Sequence, residues 1–117
     1  MSSAAPPPYS PIVRAGDWLI VSGQIGLADG AMVPGGVQDE LRQAVANMAG
    51  LLAGQGASLA DVAKTTVFLR HMRDYPLMNE TYAELFAEPY PARSAVAVSE
   101  LPMVALIEIE AWVWTGT

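Results

Sequence analysis

Cysteine is absent from this chain of 117 residues, and histidine occurs only once, at His71. Without thiols the chain contains no disulfide, no cysteine nucleophile and no thiolate ligand for zinc. One imidazole is also too few for a multi-histidine metal site within a single chain. The sequence therefore predicts no metal site and no thiol catalysis.

Positive charge is scarce as well. Six Lys and Arg stand against 12 Asp and Glu, which gives a formal net charge of −6 and a pI near 4.5. Only Arg70 and Arg73 lie close together in the sequence. The average field of such a chain repels a nucleic acid, whose binding needs a strong basic patch. The sequence therefore predicts no nucleic-acid partner.

Long apolar runs are missing too. No segment approaches the roughly 18 apolar residues of a membrane-spanning helix, and the N-terminus has neither the basic flank nor the apolar stretch of a signal peptide. We therefore expect a cytoplasmic protein without membrane contact. Residues 1–8 end in three consecutive prolines, and we expect them to form a flexible tail before a single domain at 9–117.

Apolar residues are abundant, at 52% of the chain, whereas charged residues make up 15%. This composition can fill one hydrophobic core and excludes disorder over the whole length. A small domain has a proportionally large surface, and 15% is a low charged fraction for covering it. The composition therefore indicates that other subunits cover part of the surface.

The spacing of apolar residues predicts two helices among several strands. We expect strands at 18–22, 62–69, 93–98 and 105–114, a hairpin-like connection with at most a brief strand at 27–36, and helices at 37–53 and 74–86, the second capped by Asp74. This order predicts an α+β fold with both helices on one face of a sheet. The other face would stay open unless subunits cover it.

The last strand carries two carboxylates on one face. Strand alternation places Glu108 and Glu110 beside Trp112 and Trp114, opposite an apolar face. This pattern is typical of a solvated face of a terminal strand. If the face instead meets another subunit, partial desolvation would raise the pKa of both carboxyls and suit them to proton transfer.

Arg93 is a candidate carboxylate-binding residue, because it begins an apolar strand in a chain poor in cations. A planar guanidinium binds a carboxylate through two parallel hydrogen bonds, which lysine cannot reproduce. The alternative is an ion pair with Glu108 or Glu110 and no ligand. The periodicity of the sequence does not separate the two hypotheses.

Six short motifs, in order along the chain, resemble the Rid family (RidA/YjgF, reactive intermediate deaminases). The resemblance runs from about Tyr9 to Val113 and covers nearly the whole chain. The motifs are Tyr9-Ser10, Ser22-Gly23-Gln24-Ile25, Lys64-Thr65-Thr66-Val67-Phe68, Asn79-Glu80-Thr81-Tyr82, Pro91-Ala92-Arg93-Ser94 and Ile107-Glu108-Ile109-Glu110-Ala111.

The resemblance implies a fold and an activity. The implied fold is similar to chorismate mutase: a six-stranded, mostly antiparallel sheet with two helices on one face, assembled as a homotrimer with ligand clefts between subunits. The implied activity is hydrolysis of reactive enamines and imines, such as 2-aminoacrylate, 2-iminopropanoate and 2-iminobutanoate, to a 2-keto acid and ammonia. An iminium carbon is already a strong electrophile, so we expect no cofactor.

The resemblance also implies roles for particular residues. Arg93 matches the arginine that holds the substrate carboxylate, and Glu108 matches the glutamate that activates the attacking water. The other matching pocket residues are Tyr9, Ser22, Gly23, Asn79 and Ala95. Ala95 stands where many members have cysteine, and Pro11 departs from the common opening of the family. A non-catalytic trimeric binder of small carboxylates or keto acids is the alternative function.

Overall fold

The computed structural model describes residues 5–117; residues 1–4 of the expected flexible tail lie outside the described residues. The strands are β1 (Ile12–Ala15), β2 (Trp18–Gln24), β3 (Leu27–Ala28), β4 (Ala31–Met32), β5 (Val62–Leu69), β6 (Ala92–Ala97) and β7 (Ile107–Trp114). The helices are α1 (Val37–Ala53) and α2 (Tyr75–Leu85), and three short 3₁₀ turns cover Leu59–Asp61, Met72–Asp74 and Pro102–Val104.

The main sheet has the strand order β1-β2-β7-β5-β6. Only β5 and β6 run parallel, and the other neighbours are antiparallel. The expected α+β class with two helices and a mostly antiparallel sheet is therefore confirmed. Among the described residues the main sheet has five strands rather than the expected six, because β3 and β4 pair only with each other.

The β3–β4 hairpin follows from its turn residues. Asp29 and Gly30 both adopt the left-handed conformation, with φ of 52° and 81°. Two such residues in succession form the tight turn that Asp-Gly favours between antiparallel strands. Each strand of this pair is only two residues long, and neither strand pairs with the main sheet.

Strand β1 was not expected from the sequence. It pairs with β2 from Ile12 opposite Val21 to Ala15 opposite Trp18. Three of its four residues are exposed, since it lies at the edge of the sheet. An edge strand without alternating burial leaves no period-2 pattern in the sequence.

Both helices pack on one face of the sheet. The stripe of α1 that the helical spacing predicts is buried, including Leu41, Met48 and Leu52, and α2 buries Met78 and Tyr82 in the same core. The sheet contributes the alternating apolar residues of β2, β5 and β7. Within residues 5–117, neither helix is both long and apolar enough to cross a membrane.

The start of α2 differs from the expected capping. Asp74 occupies the N-cap position, but its side chain makes no capping hydrogen bond. A capping residue needs an extended backbone, whereas Asp74 ends a 3₁₀ turn and already has helical angles of −83° and −1°. The 3₁₀ turn therefore leads directly into the helix.

The other sheet face is partly apolar, and no helix of the described residues packs on it. Trp112 is 44% exposed and Trp114 is 43% exposed, and both pack edge-on against Trp18 with ring centroids 5.8 and 4.9 Å away. Glu108 and Glu110 lie on this face and are half-buried. The alternation expected for the last strand is therefore confirmed.

Candidate active site

Arg93 lies on the helix side of the sheet, where α2 orients it. On β6 it stands in register with Thr65 of β5, whose side chain is fully buried beneath α2. Its Nη2 donates hydrogen bonds to Asn79 Oδ1 at 2.7 Å and to Tyr75 Oη at 3.1 Å. The guanidinium carbon also lies 4.7 Å from the centre of the Tyr82 ring, in cation–π geometry. Neutral groups thus fix the orientation of the cation.

No acidic side chain neutralises Arg93 within the part of the chain that the structure describes. The salt bridges found there join Arg42 to two acidic side chains on the helices. The alternative of an ion pair between Arg93 and Glu108 or Glu110 in the same chain is therefore wrong. The physical reason is the register, which directs Arg93 to one face of the sheet and both carboxylates to the other.

A cavity of ≈ 310 Å³ opens beside the guanidinium. Its lining residues are Asn79, Tyr82, Ala83, Tyr90, Pro91 and Arg93. Ala95, two residues along β6 and half-buried, lies on the same face of that strand as Arg93 because strand side chains alternate. We call Arg93, Asn79, Tyr75 and Tyr82 the Arg93 cluster. It presents a positive charge with room for a small anion.

Glu108 lies on the opposite face, where it packs against Gly23 of β2. A Cβ atom added to Gly23 would stand 2.6 Å from Glu108 Oε2. A cavity of ≈ 480 Å³ here is lined by Pro7, Tyr9, Pro11, Gly23, Gln24, Ile25, Leu27, Pro102, Met103 and Glu108. An adjoining cavity of ≈ 340 Å³ is lined by Tyr9, Ser22, Gly23, Pro102, Glu108 and Glu110.

Hydrogen bonds hold the N-terminal segment over Glu108. The Ser22 hydroxyl donates to the carbonyl oxygen of Ser10 at 2.6 Å, and the Ser22 amide donates to that of Pro11 at 2.9 Å. Tyr9 precedes this clamp and lines both cavities. We call Glu108, Tyr9, Ser22 and Gly23 the Glu108 cluster.

The environment of Glu108 favours its protonated form. Burial raises the pKa of the Glu108 carboxyl above its ordinary value, and the negative charge of Glu110 raises this pKa further. A carboxyl with a raised pKa is a stronger base when ionised, which suits it to accept and return a proton. Among the described residues, no group of three His, Asp or Glu side chains could hold a metal ion.

The structure brings the expected site residues together in two groups. Asn79 joins Arg93 on one face of the sheet, and Tyr9, Ser22 and Gly23 join Glu108 on the other. Sequence analysis missed Tyr75, although it precedes Asn79 by one helical turn and so shares its face of α2.

Met103 was also missed. Together with Val104 it adopts the left-handed region, at φ of 54° and 56°, in the 3₁₀ turn at the mouth of the Glu108 cavity. Non-glycine residues in this conformation are strained and concentrate at functional sites. No local sequence signal predicts it at Met103.

Relatives of known name are similar to the chain over most of its length. The family model described as Endoribonuclease L-PSP matches residues 2–115. A RutC family protein of Pyrococcus horikoshii is 48% identical over 106 residues, which cover 89% of this chain and 84% of that protein. The 2-iminobutanoate/2-iminopropanoate deaminase of Dermatophagoides farinae is 43% identical over 105 residues, covering 88% and 82% respectively.

Two solved structures share the fold. RidA from the Antarctic bacterium Psychrobacter sp. matches with a TM-score of 0.89 and 34% identity, covering 95% of this chain and 91% of that one. Escherichia coli TdcF with bound serine matches with a TM-score of 0.88 and 35% identity, covering 96% and 91%. Since the family model and these relatives all span nearly the whole sequence, the chain belongs to the Rid family, which includes RidA and YjgF.

Proposed function

We propose that the protein is a hydrolytic deaminase of reactive enamine and imine acids. Its substrates would be 2-aminoacrylate, 2-iminopropanoate and 2-iminobutanoate, and its products a 2-keto acid and ammonia. Relatives from Dermatophagoides farinae, mouse and human, 42–43% identical to the chain, are named 2-iminobutanoate/2-iminopropanoate deaminases. The observation that carries the proposal is Arg93, a cation that has no acidic partner among residues 5–117 and lies beside a cavity for a small acid.

In this proposal Arg93 holds the substrate carboxylate. Its guanidinium lies against Tyr82 and is hydrogen-bonded to Asn79, so little side-chain entropy remains to be lost when a ligand binds. When the Nη2 hydrogen bond to Tyr75 is exchanged for one to the ligand, the fork of N–H groups can form two parallel hydrogen bonds with a carboxylate. Escherichia coli TdcF has been solved with bound serine, a small molecule that also carries a carboxylate.

Glu108 would act on the attacking water. The carboxylate removes a proton from water as its oxygen bonds to the imine carbon, and the electron pair of the C=N bond moves to nitrogen. Glu108 then returns the proton to nitrogen, which gives a carbinolamine. The hydroxyl proton of this adduct moves to nitrogen by way of Glu108, the oxygen forms the C=O bond as the C–N bond breaks, and ammonia leaves. 2-Aminoacrylate would react as its imine tautomer, in which a proton has moved from nitrogen to C3. The net reaction consumes one imine and one water and yields one 2-keto acid and one ammonia. An acid of raised pKa suits both transfers.

The active site would form between two chains. The Arg93 and Glu108 clusters lie on opposite faces of the sheet, so each would complete its partner from a neighbouring subunit. A homotrimer with clefts between its subunits satisfies this requirement, because a cyclic assembly repeats one heterologous contact. It would also cover the apolar sheet face around Trp112 and Trp114.

A coupled assay tests the proposal. A pyridoxal-phosphate serine or threonine dehydratase generates the imine, and release of keto acid is followed with and without the purified protein. We expect faster release with the wild-type chain and no acceleration with Arg93→Ala. Arg42→Ala is the matched control, because it removes an arginine whose salt bridges lie on the helix surface. Equal rates with and without the wild-type chain would overturn the proposal.

Two other outcomes identify the alternatives. Saturable binding of pyruvate or 2-oxobutanoate without turnover would indicate a non-catalytic binder of small carboxylates that uses Arg93 alone. Cleavage of RNA would agree with the endoribonuclease description of the family model. We expect no RNA binding at any salt concentration, because the net charge is −6 and the carboxylates of Glu108 and Glu110 line the ≈ 340 Å³ cavity.

A further inference from the structure

The cavity beside Glu108 has a wall built from one short turn. We call Ile25, Gly26 and Leu27 the 25–27 turn; Ile25 and Gly26 connect β2 to β3, and Leu27 is the first residue of β3. Ile25 and Leu27 line the ≈ 480 Å³ cavity together with Glu108. Leu27 pairs with Met32 of β4, but that ladder is only two residues long, so the shape of the turn also depends on the other groups that bind its backbone.

Asn47 of α1 binds this backbone from behind. Its side-chain Nδ2 donates one hydrogen bond to the carbonyl oxygen of Leu27 at 2.9 Å and another to that of Ile25 at 3.2 Å. Its Oδ1 accepts a hydrogen bond from Gln43 Nε2 at 2.9 Å, one turn earlier on the helix. The amide is therefore oriented by its neighbour, and it uses both of its donors on the turn.

Gly26 lets the turn lie directly on the helix. A Cβ atom at this position would stand 2.8 Å from the Cα atom and 2.9 Å from the carbonyl oxygen of Glu40. Glu40 in turn accepts a hydrogen bond from the amide of Leu106 at 2.8 Å, two residues before Glu108. The same helix thus anchors both the cavity wall and the start of the strand that carries the carboxylate.

We propose that Asn47 is a positioning residue for substrate selection. Its amide fixes the 25–27 turn, and this turn limits the size of the substrate side chain that fits beside Glu108. This inference rests on the proposed function. Asn47 itself does not line the cavity, so it acts through Ile25 and Leu27. The wall they form is apolar, which favours an imino acid with an aliphatic side chain over one with a charged side chain.

The test compares two imines of different size. An amino acid oxidase generates them from 2-aminobutanoate and from leucine, and kcat/KM is measured for each. The wild-type chain should discriminate between them, and Asn47→Ala should move the ratio of the two values towards one by about fivefold, because it removes both side-chain hydrogen bonds that hold the turn. A general loss of stability would lower both values and leave their ratio unchanged.

Two further variants keep the test decisive. Gln38→Ala is the matched control: it removes an amide of the same helix that also makes two hydrogen bonds, but to Leu77 and Thr81 of α2, so the ratio should not move. Ile25→Ala removes part of the wall and leaves the Asn47 side chain intact. Ile25→Ala should shift the ratio of the two kcat/KM values in the same direction as Asn47→Ala. If Asn47→Ala does not fold, Ile25→Ala still tests whether the wall sets this ratio.

Calorimetry with the product analogues 2-oxobutanoate and 4-methyl-2-oxopentanoate separates this inference from the proposed function. Binding of both keto acids without any imine turnover would contradict the proposed function alone, and the ratio of their Kd values would still report on Asn47. A wild-type ratio of one, or an unchanged ratio in Asn47→Ala and Ile25→Ala, would overturn the inference. Absence of all binding and turnover would overturn both.

Discussion

Arg93 and Glu108 project from opposite faces of the same sheet. Arg93 stands in register with Thr65 of β5, and Glu108 stands in register with Phe68 of the same strand. Because successive side chains of a strand point to opposite faces, two residues that are three positions apart face opposite sides of the sheet. Thr65 is accordingly buried beneath α2, and Phe68 lies on the other side. A small acid bound at Arg93 therefore cannot reach the Glu108 of its own chain. The relationship makes the proposed chemistry depend on a second chain.

Mixed oligomers of two inactive variants should regain activity. If each site takes Arg93 from one chain and Glu108 from its neighbour, co-refolding Arg93→Ala with Glu108→Ala restores some intact pairs. Random mixing in equal amounts should give about a quarter of the wild-type activity, because each chain supplies its half with a probability of one half. The coupled deaminase assay measures this recovery.

The matching controls are the two variants refolded separately and then mixed without unfolding. They should remain inactive until their subunits exchange. Failure of co-refolded chains to regain activity, when native mass spectrometry shows that mixed oligomers have formed, would contradict a site shared between chains.

Replacing Arg93 by lysine should weaken substrate binding although the charge is retained. Lysine cannot form two parallel hydrogen bonds with a carboxylate, and it would lose the stacking on Tyr82 and the hydrogen bond to Asn79. We expect kcat/KM for 2-iminopropanoate to fall by about 10- to 100-fold, equivalent to about 1.5–3 kcal/mol, with a parallel rise in the Kd of pyruvate. A lysine variant with wild-type kinetics would show that only the charge matters.

Local patterns in the sequence predict most of the fold. The apolar stripe of α1 and the alternation from Ile107 to Trp114 come from residues a few positions apart, and the structure places them as expected. Strand β1 was missed because an exposed edge strand carries no such pattern. Asp74 occupies the expected N-cap position, but its side chain makes no capping hydrogen bond because a preceding 3₁₀ turn already supplies the helical backbone.

Local sequence patterns predict less of the candidate site than of the fold. Residue types suggested Arg93 and Glu108 separately, but an ion pair between them remained open until the register placed them on opposite faces. That placement depends on the parallel pairing of β5 with β6, which is a property of the whole sheet. The support of the 25–27 turn by Asn47 likewise joins elements 20 and 22 residues apart.

Glu108 should control the acidic limb of the pH profile. As the base that activates water it works only when ionised, so kcat/KM should rise with pH through the pKa of Glu108, which burial and the charge of Glu110 hold above the ordinary value of 4.5. Glu110→Gln removes the negative neighbour and lowers this pKa, so the limb should move to lower pH. A limb that stays in place or moves to higher pH would show that another group titrates.

A methyl group added at Gly23 should displace the Glu108 carboxylate and spare the fold. The new Cβ would stand 2.6 Å from Glu108 Oε2, at the far end of a flexible side chain that can move away. A displacement of about 1 Å in a catalytic group lowers rates by about 100-fold, so kcat should fall much more than the binding of pyruvate. Steady-state kinetics and calorimetry on Gly23→Ala measure the two effects separately.

The same substitution at Gly50 provides the control. Gly50 lies on the exposed side of α1, with open space where a Cβ would stand. Alanine there should leave kcat unchanged and raise the free energy of unfolding by about 0.5–1 kcal/mol, because glycine is the poorer residue inside a helix. Thermal or urea unfolding measures this gain. If Gly23→Ala retained both full kcat and unchanged pyruvate binding, the close approach of Gly23 to Glu108 would have no part in catalysis. The catalytic base would then be another residue of the Glu108 cluster.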